Sequence, residues 1–253
     1  MIFWDVNKPN KYNFLKKLIF PYSAPFTKKR FGNCKDGGYV FLKELFDESS
    51  IVYSYGIDDA LDSISFDLDC ASEGKSVYMY DGTINKCPVE NPKLFFKKEN
   101  LYQGILERHL SENGHEEKTN MVLKMDIEGS EYEVVNSDIE FIHNHFNQIS
   151  MEVHGLIEEL NPHSVVSPET ALIKKDERIK KNFFTNIGKY YNIVHIHANN
   201  HGDRYADFPD TLEITFLRKD YEVNQVDYSQ YPIDKIDYPN CNGLDDFILN
   251  WWV

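Results

Sequence analysis

Apolar residues change rhythm along this chain, and the change predicts its architecture. From residue 51, short unbroken apolar runs alternate with stretches in which apolar residues recur every three or four positions. That is the pattern of buried strands alternating with amphipathic helices. Residues 51–55 read as a strand stopped by Gly56. Leu61, Ile64, Leu68 and Ala71 mark one face of a helix ending at Gly74. A second strand spans 76–80 and ends in Asp81-Gly82, and a short third spans 94–96. A helix over 101–110 finishes before Gly114. Residues 121–126 form a fourth strand, followed by the Glu128-Gly129 turn and a short helix, and 148–154 a fifth. Ser167-Pro168-Glu169 suits a helix start, with Ser as cap and Pro in the first turn. Ile179, Phe183, Ile187 and Tyr191 continue its face as one long helix. Residues 193–198 and 211–217 supply two closing strands.

Alternation of this kind implies an α/β fold with a largely parallel sheet and right-handed crossovers. Before it, residues 1–30 read as an irregular or helical arm broken by Pro9, Pro21 and Pro25, and Asp36-Gly37-Gly38 is a turn signal. Three segments follow: a basic arm with its turn motif over 1–50, a core over 51–218, and a tail of the same domain over 219–253.

Composition narrows the class. The chain has 253 residues, the upper end of what one core supports, with an ordinary balance of 42% hydrophobic and 27% charged residues. No run approaches the roughly 18 apolar residues of a spanning helix, and residues 1–30 lack a signal-peptide pattern. Cys34, Cys70, Cys87 and Cys241 form no CxxC pair and read as four small buried side chains, consistent with a reducing cytoplasm. The formal charge of −14 disfavours nucleic acid and anionic membranes as partners. Residues 1–30 nevertheless hold seven basic residues against one acid, so the rest carries −20. An arm of that kind over the cleft suits a phosphorylated acceptor.

In an open α/β sheet, ligands bind beyond the carboxyl ends of the strands. There this chain places Tyr55, Gly56, Ile57 and Asp58, then Asp81 and Gly82, Asp126 with Glu128, Glu152 with His154, and His197 with Asn199 and Asn200. Gly56 permits close backbone approach, and Asp81 follows at the interval that lets an acid accept both hydroxyls of a ribose. A pyrophosphate would want further glycines, and Asp58 and Asp59 would repel it. That disfavours NAD and a dehydrogenase, and points to S-adenosylmethionine.

Lys124-Met125-Asp126-Ile127-Glu128-Gly129-Ser130-Glu131 resembles the signature of FkbM-like class I S-adenosylmethionine-dependent methyltransferases. Arg30-Phe31-Gly32 with Asp36-Gly37-Gly38-Tyr39-Val40 is similar to an N-terminal motif of related domains, and Glu152-Val153-His154 and His197-Ala198-Asn199-Asn200 match in order. The resemblance covers roughly residues 30–217. It implies a Rossmann-like, seven-stranded, mostly parallel sheet with helices on both faces and an antiparallel last strand. It also implies O-methylation of sugars, other glycan components or natural products.

Candidate roles follow. Arg30, Gly38, Tyr55, Gly56, Ile57, Asp58, Asp81, Gly82 and Asp126 are expected around the cofactor. Asp126, Glu152, His154 and His197 are the catalytic candidates, with a histidine as base because its pKa suits proton transfer near neutrality. Glu128, Asn199 and Asn200 are expected to face the acceptor, a small molecule or glycan precursor. Structural alternatives stand beside these: Asp126 or Glu128 serving a helix N-terminus, a Glu152–His154 pair holding a loop, Asn199 making turn bonds, and Arg30 pairing with Asp36. Asp126, Glu152 and His154 also form a manganese-like ligand set, an alternative in which the reaction uses a divalent ion. A non-catalytic binding module on the same scaffold is a further reading. Lys124 is expected in an ion pair and His195 in the core. His109, His115, His143, His145 and His163 read as surface residues. Trp251 and Trp252 read as packing or as a homo-oligomer contact.

Overall fold

The computed structural model describes residues 12–157 and 168–253, without the side chains of 168 and 169. His163 and the Ser167 cap lie outside them. The elements in chain order are α1 (Asn13–Lys16), β1 (Lys28–Phe31), β2 (Tyr39–Leu42), α2 (Lys43–Glu48), β3 (Ile51–Tyr55), α3 (Ser65–Ser72), β4 (Ser76–Tyr80), β5 (Leu94–Lys97) and α4 (Ile105–Glu112). There follow β6 (Met121–Met125), α5 (Glu131–His145), β7 (Phe146–Val153), α6 (Pro168–Lys175), α7 (Glu177–Tyr190), β8 (Tyr191–Ala198), β9 (Arg204–Tyr205), β10 (Phe208–Pro209) and β11 (Leu212–Arg218).

Seven strands pair in the order β5-β4-β3-β6-β7-β11-β8. The pairs from β5 to β7 are parallel, and β11 runs antiparallel to both β7 and β8. This is the Rossmann-like, mostly parallel seven-stranded sheet with its last strand reversed. Every residue of β3, β6, β7 and β11 is buried; β3 and β6 accordingly read as largely apolar runs, while β7 and β11 bury polar side chains as well.

Alternation decides which core each residue joins. Tyr53, Tyr55, Leu123 and Met125 point into the larger core with α4, α5 and α7, while Val52 and Val122 join Phe31, Phe41, Phe46 and Phe66 beneath the β1–β2 hairpin and α3. The chain leaves β3 toward β4 and β5, then returns to place β6 on the other side of β3. The carboxyl ends of β3 and β6 therefore flank a switch point, where ligands bind in such sheets.

Three expectations are corrected. The long helix over 167–191 is two helices, because Asp176 takes an extended conformation (φ −119°, ψ 100°) and caps α7 by accepting from the Arg178 amide. The short helix after Gly129 runs from Glu131 to His145, driven by the buried face of Tyr132, Val134, Val135, Ile139 and Ile142. Of the cysteines, Cys70 alone is buried and Cys34 is exposed; all four are free.

Candidate active site

A cleft of about 290 Å³ opens at the switch point. Asp36, Gly37 and Tyr39 line it from the β1–β2 turn; Gly56, Ile57, Asp58 and Ser63 from the loop after β3; Asp81 and Thr83 from the end of β4; and Lys124, Asp126 and Glu128 from β6 and its turn. Thr83 also borders an adjoining hollow of about 480 Å³, walled by Asp59, Leu61, Ile84, Asn85, Lys86 and Pro88. Another hollow, of about 350 Å³ beside α7, carries no carboxylate or imidazole.

Gly56 shapes the side of the cleft where the sequence leads one to expect the cofactor. Its φ is +73°, and a Cβ there would run into the Asp126 carbonyl oxygen, so only glycine lets β3 and β6 approach this closely. Lys124 Nζ donates to the carbonyls of Tyr55 and Gly56, sits 3.8 Å from Asp126 Oδ2 and lies 4.9 Å from the Tyr39 ring centroid. It braces the loop. Asp81 Oδ2 accepts from the Ile57 amide at 3.2 Å, and Oδ1 from the Thr83 and Ile84 amides at 2.6 and 3.3 Å. Each carboxylate oxygen offers about two lone-pair sites, so Oδ2 retains capacity toward the cleft.

Other expected cofactor residues lie behind the cleft wall. Tyr55 is buried with its ring stacked under the loop rather than lining it. Gly82 donates its amide to Asn100 Oδ1 at 2.8 Å. Arg30 donates to the carbonyls of Asn33 and Lys35, both at 2.8 Å, instead of pairing with Asp36. Gly38 makes room for that guanidinium, since a Cβ there would lie 2.6 Å from Arg30 Nε.

On the opposite wall, Asp126 does not cap a helix. Its Oδ2 accepts from the Tyr39 hydroxyl at 2.9 Å. His154 Nδ1 donates to the buried Glu131 Oε1 at 3.0 Å, and that oxygen also accepts from the Ile127 amide at 3.0 Å. Glu131 thereby fixes the ring, with Nε2 placed 3.8 Å from carboxylate oxygens of Asp126, Glu128 and Glu152. Burial opposes a charged imidazole, but Glu131, then Glu152 and Asp126, outweigh it and hold His154 well above the ordinary histidine range. Burial, with Asp126 beside it, pushes Glu152 well up. One ligand atom each from Asp126, Glu152 and His154 lies within 4.8 Å of the others, a donor set that fits a divalent ion.

His197 does not reach this wall. It is buried between Glu213 Oε2 at 3.1 Å and Asp246 Oδ2 at 3.0 Å, one to each ring nitrogen. With both nitrogens committed, it has no free lone pair for an acceptor proton. Asn199 donates to Glu152 Oε1 at 2.8 Å and so orients that carboxylate. Asn200 instead fastens the tail, bonding Cys241 and the Leu244 carbonyl.

The His197 clamp predicts a pH effect on stability. Burial lowers its pKa, but hydrogen bonds to Asp246 and Glu213 outweigh burial and hold it up at about 10. The unfolded value is about 6.5, so the clamp contributes fully below that pH and is lost as pH rises through about 10. Tm measured from pH 6.5 to 10 is expected to fall more steeply in wild type than in His197→Gln. Parallel slopes would contradict this.

Tyr39 and Glu131 stand inside the two motifs quoted from the sequence, whereas Glu213 and Asn240, which join the same network, had no reading there. Asn240 Nδ2 donates to Glu213 Oε1 at 2.6 Å, and Glu213 stands in register between Glu152 and His197 across three strands. The period-two alternation of 211–217 was the signal for Glu213. No local signal reaches Asn240, which the tail returns to the Asp36 turn. The surface reading of three histidines is also corrected. His109 and His115 are buried against tyrosines of the sheet, and His145 is buried with Nδ1 on the Lys118 carbonyl. His195 is buried on Asp237, as expected of a core histidine. Trp251 and Trp252 pack within the chain, their indole nitrogens donating to the Ile19 and Ser229 carbonyls.

None of the described residues of the basic arm lines the cleft. Lys16 pairs with Asp207, Lys28 with Asp227 and Tyr231, and Lys29 with Glu73. Among the described residues, Lys124 is the one cation lining the cleft, against five carboxylates.

Comparison with curated protein sequences gives no match. Among solved structures, the fibrillarin pre-rRNA processing protein of Methanococcus jannaschii aligns at 11% identity and TM-score 0.42, over 69% of this chain and 68% of that one. A putative rRNA methylase from Clostridium thermocellum aligns at 8% identity and TM-score 0.38, over 74% and 89%. Likeness this distant carries no argument about substrate. The methyltransferase FkbM domain model, however, matches residues 23–223, spanning both the turn motif and every strand that borders the cleft. The chain is therefore a methyltransferase of the FkbM domain family.

Proposed function

We propose that this chain transfers a methyl group from S-adenosylmethionine to a hydroxyl of a sugar or glycan precursor. The carrying observation is the cleft at the ends of β3 and β6, which Gly56, lacking a Cβ, lets meet closely, with Asp81 on the neighbouring strand end. Asp81 would hold the ribose hydroxyls, and the loop after β3 the amino-acid end. The adjoining hollow past Thr83 would take the base. S-adenosylmethionine supplies an activated methyl on a cationic sulfonium, which suits a cleft lined by five carboxylates.

The protein's part is to align the acceptor oxygen, remove its proton and exclude water. His154, oriented by Glu131, takes the proton at Nε2 once it is neutral, and Asp126, steadied by Tyr39, positions the hydroxyl. The pairing of Lys28 and Lys29 with their own carboxylates supports an uncharged acceptor over the phosphorylated one expected from the arm. We take the tail as part of the same domain, because Asn240 and Asp246 fasten Glu213 and His197. Free cysteines suit a cytoplasmic setting, and no described helix is long and apolar enough to cross a membrane.

A second reading keeps the same cleft and adds a divalent ion at Asp126, Glu152 and His154, favoured by their mutual approach. Loss of activity on chelation with recovery in manganese would favour it. NAD chemistry is not favoured. The helix after β3 begins only at Ser65, leaving no helix N-terminus beside Gly56 for a pyrophosphate.

Asp81→Ala is expected to weaken S-adenosylhomocysteine binding by about 1.5–3 kcal/mol, the cost of removing a hydrogen-bonded charged partner. Calorimetric titration checks this. Wild-type affinity in the variant would remove Asp81 from the cofactor site.

A further inference from the structure

We propose that His109, on α4, is a positioning residue that joins the ends of β3 and β4 and the segment after β5 into one shelf beneath the cofactor. Its side chain is fully buried and touches all three. The Tyr55 hydroxyl meets His109 Nδ1 at 3.0 Å, and His109 Nε2 meets Glu99 Oε2 at 3.2 Å. The imidazole stacks on Tyr80 with centroids 3.9 Å apart and planes 14° apart, and Tyr80 in turn stacks on Tyr55 at 5.0 Å. Each partner directly precedes a residue of the cofactor side. Tyr55 precedes Gly56, and Tyr80 precedes Asp81. Glu99 precedes Asn100, whose Oδ1 holds the Gly82 amide at 2.8 Å.

The bonding pattern specifies the ring. Glu99 is an acceptor, so Nε2 carries the proton and donates; Nδ1 is then left to accept the Tyr55 hydroxyl proton. Burial lowers the pKa of His109, in keeping with this neutral form. A leucine would fill the same volume without desolvating two nitrogens. What the histidine adds is direction: two bonds at fixed angles on either side of a stacked ring.

His115 is the internal comparison. It too is buried, bonded to the Tyr53 hydroxyl at 2.8 Å and packed edge-on against Tyr78. Its partners, however, lie mid-strand, away from the loops that border the cleft. A purely structural role would make the two histidines equivalent.

This inference rests on the cofactor placement proposed above, and the test separates the two. S-adenosylhomocysteine is titrated calorimetrically into wild type, His109→Leu, His109→Gln, Tyr55→Phe, His115→Gln and Asp81→Ala, with unliganded Tm recorded for each. Losing one or two buried hydrogen bonds on the shelf is expected to raise Kd about tenfold in His109→Leu, and less in His109→Gln and Tyr55→Phe. His115→Gln is expected to lower Tm with Kd unchanged. A wild-type Kd in His109→Leu, or an equal shift in His115→Gln, would overturn the proposal. If His109→Leu does not fold, Tyr55→Phe, which removes one hydroxyl only, decides it the same way. Failure of Asp81→Ala to change Kd would overturn the cofactor placement itself.

Discussion

Replacing His154 by alanine is expected to slow methyl transfer by about 10²- to 10⁴-fold while leaving S-adenosylhomocysteine affinity intact. The reason lies in the arrangement at the end of β7. Glu131, with no exposed surface, accepts the hydrogen bond from Nδ1–H and so fixes which nitrogen serves the acceptor. The surrounding carboxylates keep the ring protonated at neutral pH in the free protein, because Glu131, Glu152 and Asp126 outweigh burial. A base must first be neutral. The rate of wild type should therefore climb with pH above neutrality, following loss of the imidazolium proton, and His154→Gln should lack that limb. Steady-state rates across pH 6 to 10, at saturating cofactor, give both results. Near-wild-type turnover in His154→Ala would remove the residue from proton transfer. A collapse of cofactor affinity in that variant would mean that His154 instead supports the cleft.

Gly56→Ala is expected to abolish measurable S-adenosylhomocysteine binding, a loss exceeding about a hundredfold. Two costs combine. An alanine at φ +73° carries about 1 kcal/mol of left-handed strain, as at any such site. The larger cost is steric: the new Cβ would overlap the Asp126 carbonyl, so β3 or β6 must move at its carboxyl end. That movement carries the Lys124 brace and the Asp126 carboxylate with it. Gly74→Ala is the matched control, because Gly74 has φ +82° with nothing within 4 Å of an added Cβ. It pays the strain alone and should bind as wild type does. Equal affinities in the two variants would show that the close approach at Gly56 has no bearing on the cofactor.

The parts of this architecture that the sequence made legible are those governed by local periodicity. Fully buried parallel strands such as β3 and β6 announce themselves as largely apolar runs, and turns at Gly56 or Gly74 announce themselves by glycine. The end of β6 was legible for the same reason, because strand and turn together place Asp126 and Glu128 on the cleft. Non-local pairings were not legible. Nothing near Asp176 in sequence says that its side chain will cap a new helix rather than let the old one continue. His109 and His115 sit in a polar-looking stretch, and only the tyrosines of β3 and β4, distant in sequence, explain their burial. His197 shows the converse. Its strand-end position was read correctly, but Glu213 and Asp246 arrive from elsewhere in the chain and occupy both nitrogens. The described lysines of the basic arm make a similar point, since formal charge does not reveal that Lys28 and Lys29 already have partners.

Calorimetric titration of the wild-type chain with S-adenosylhomocysteine, alongside NAD, tests the central claim most directly. A cofactor cradle at Gly56 and Asp81 predicts saturable S-adenosylhomocysteine binding at a single site and no heat of binding from NAD. Saturable NAD binding with no response to S-adenosylhomocysteine would contradict it.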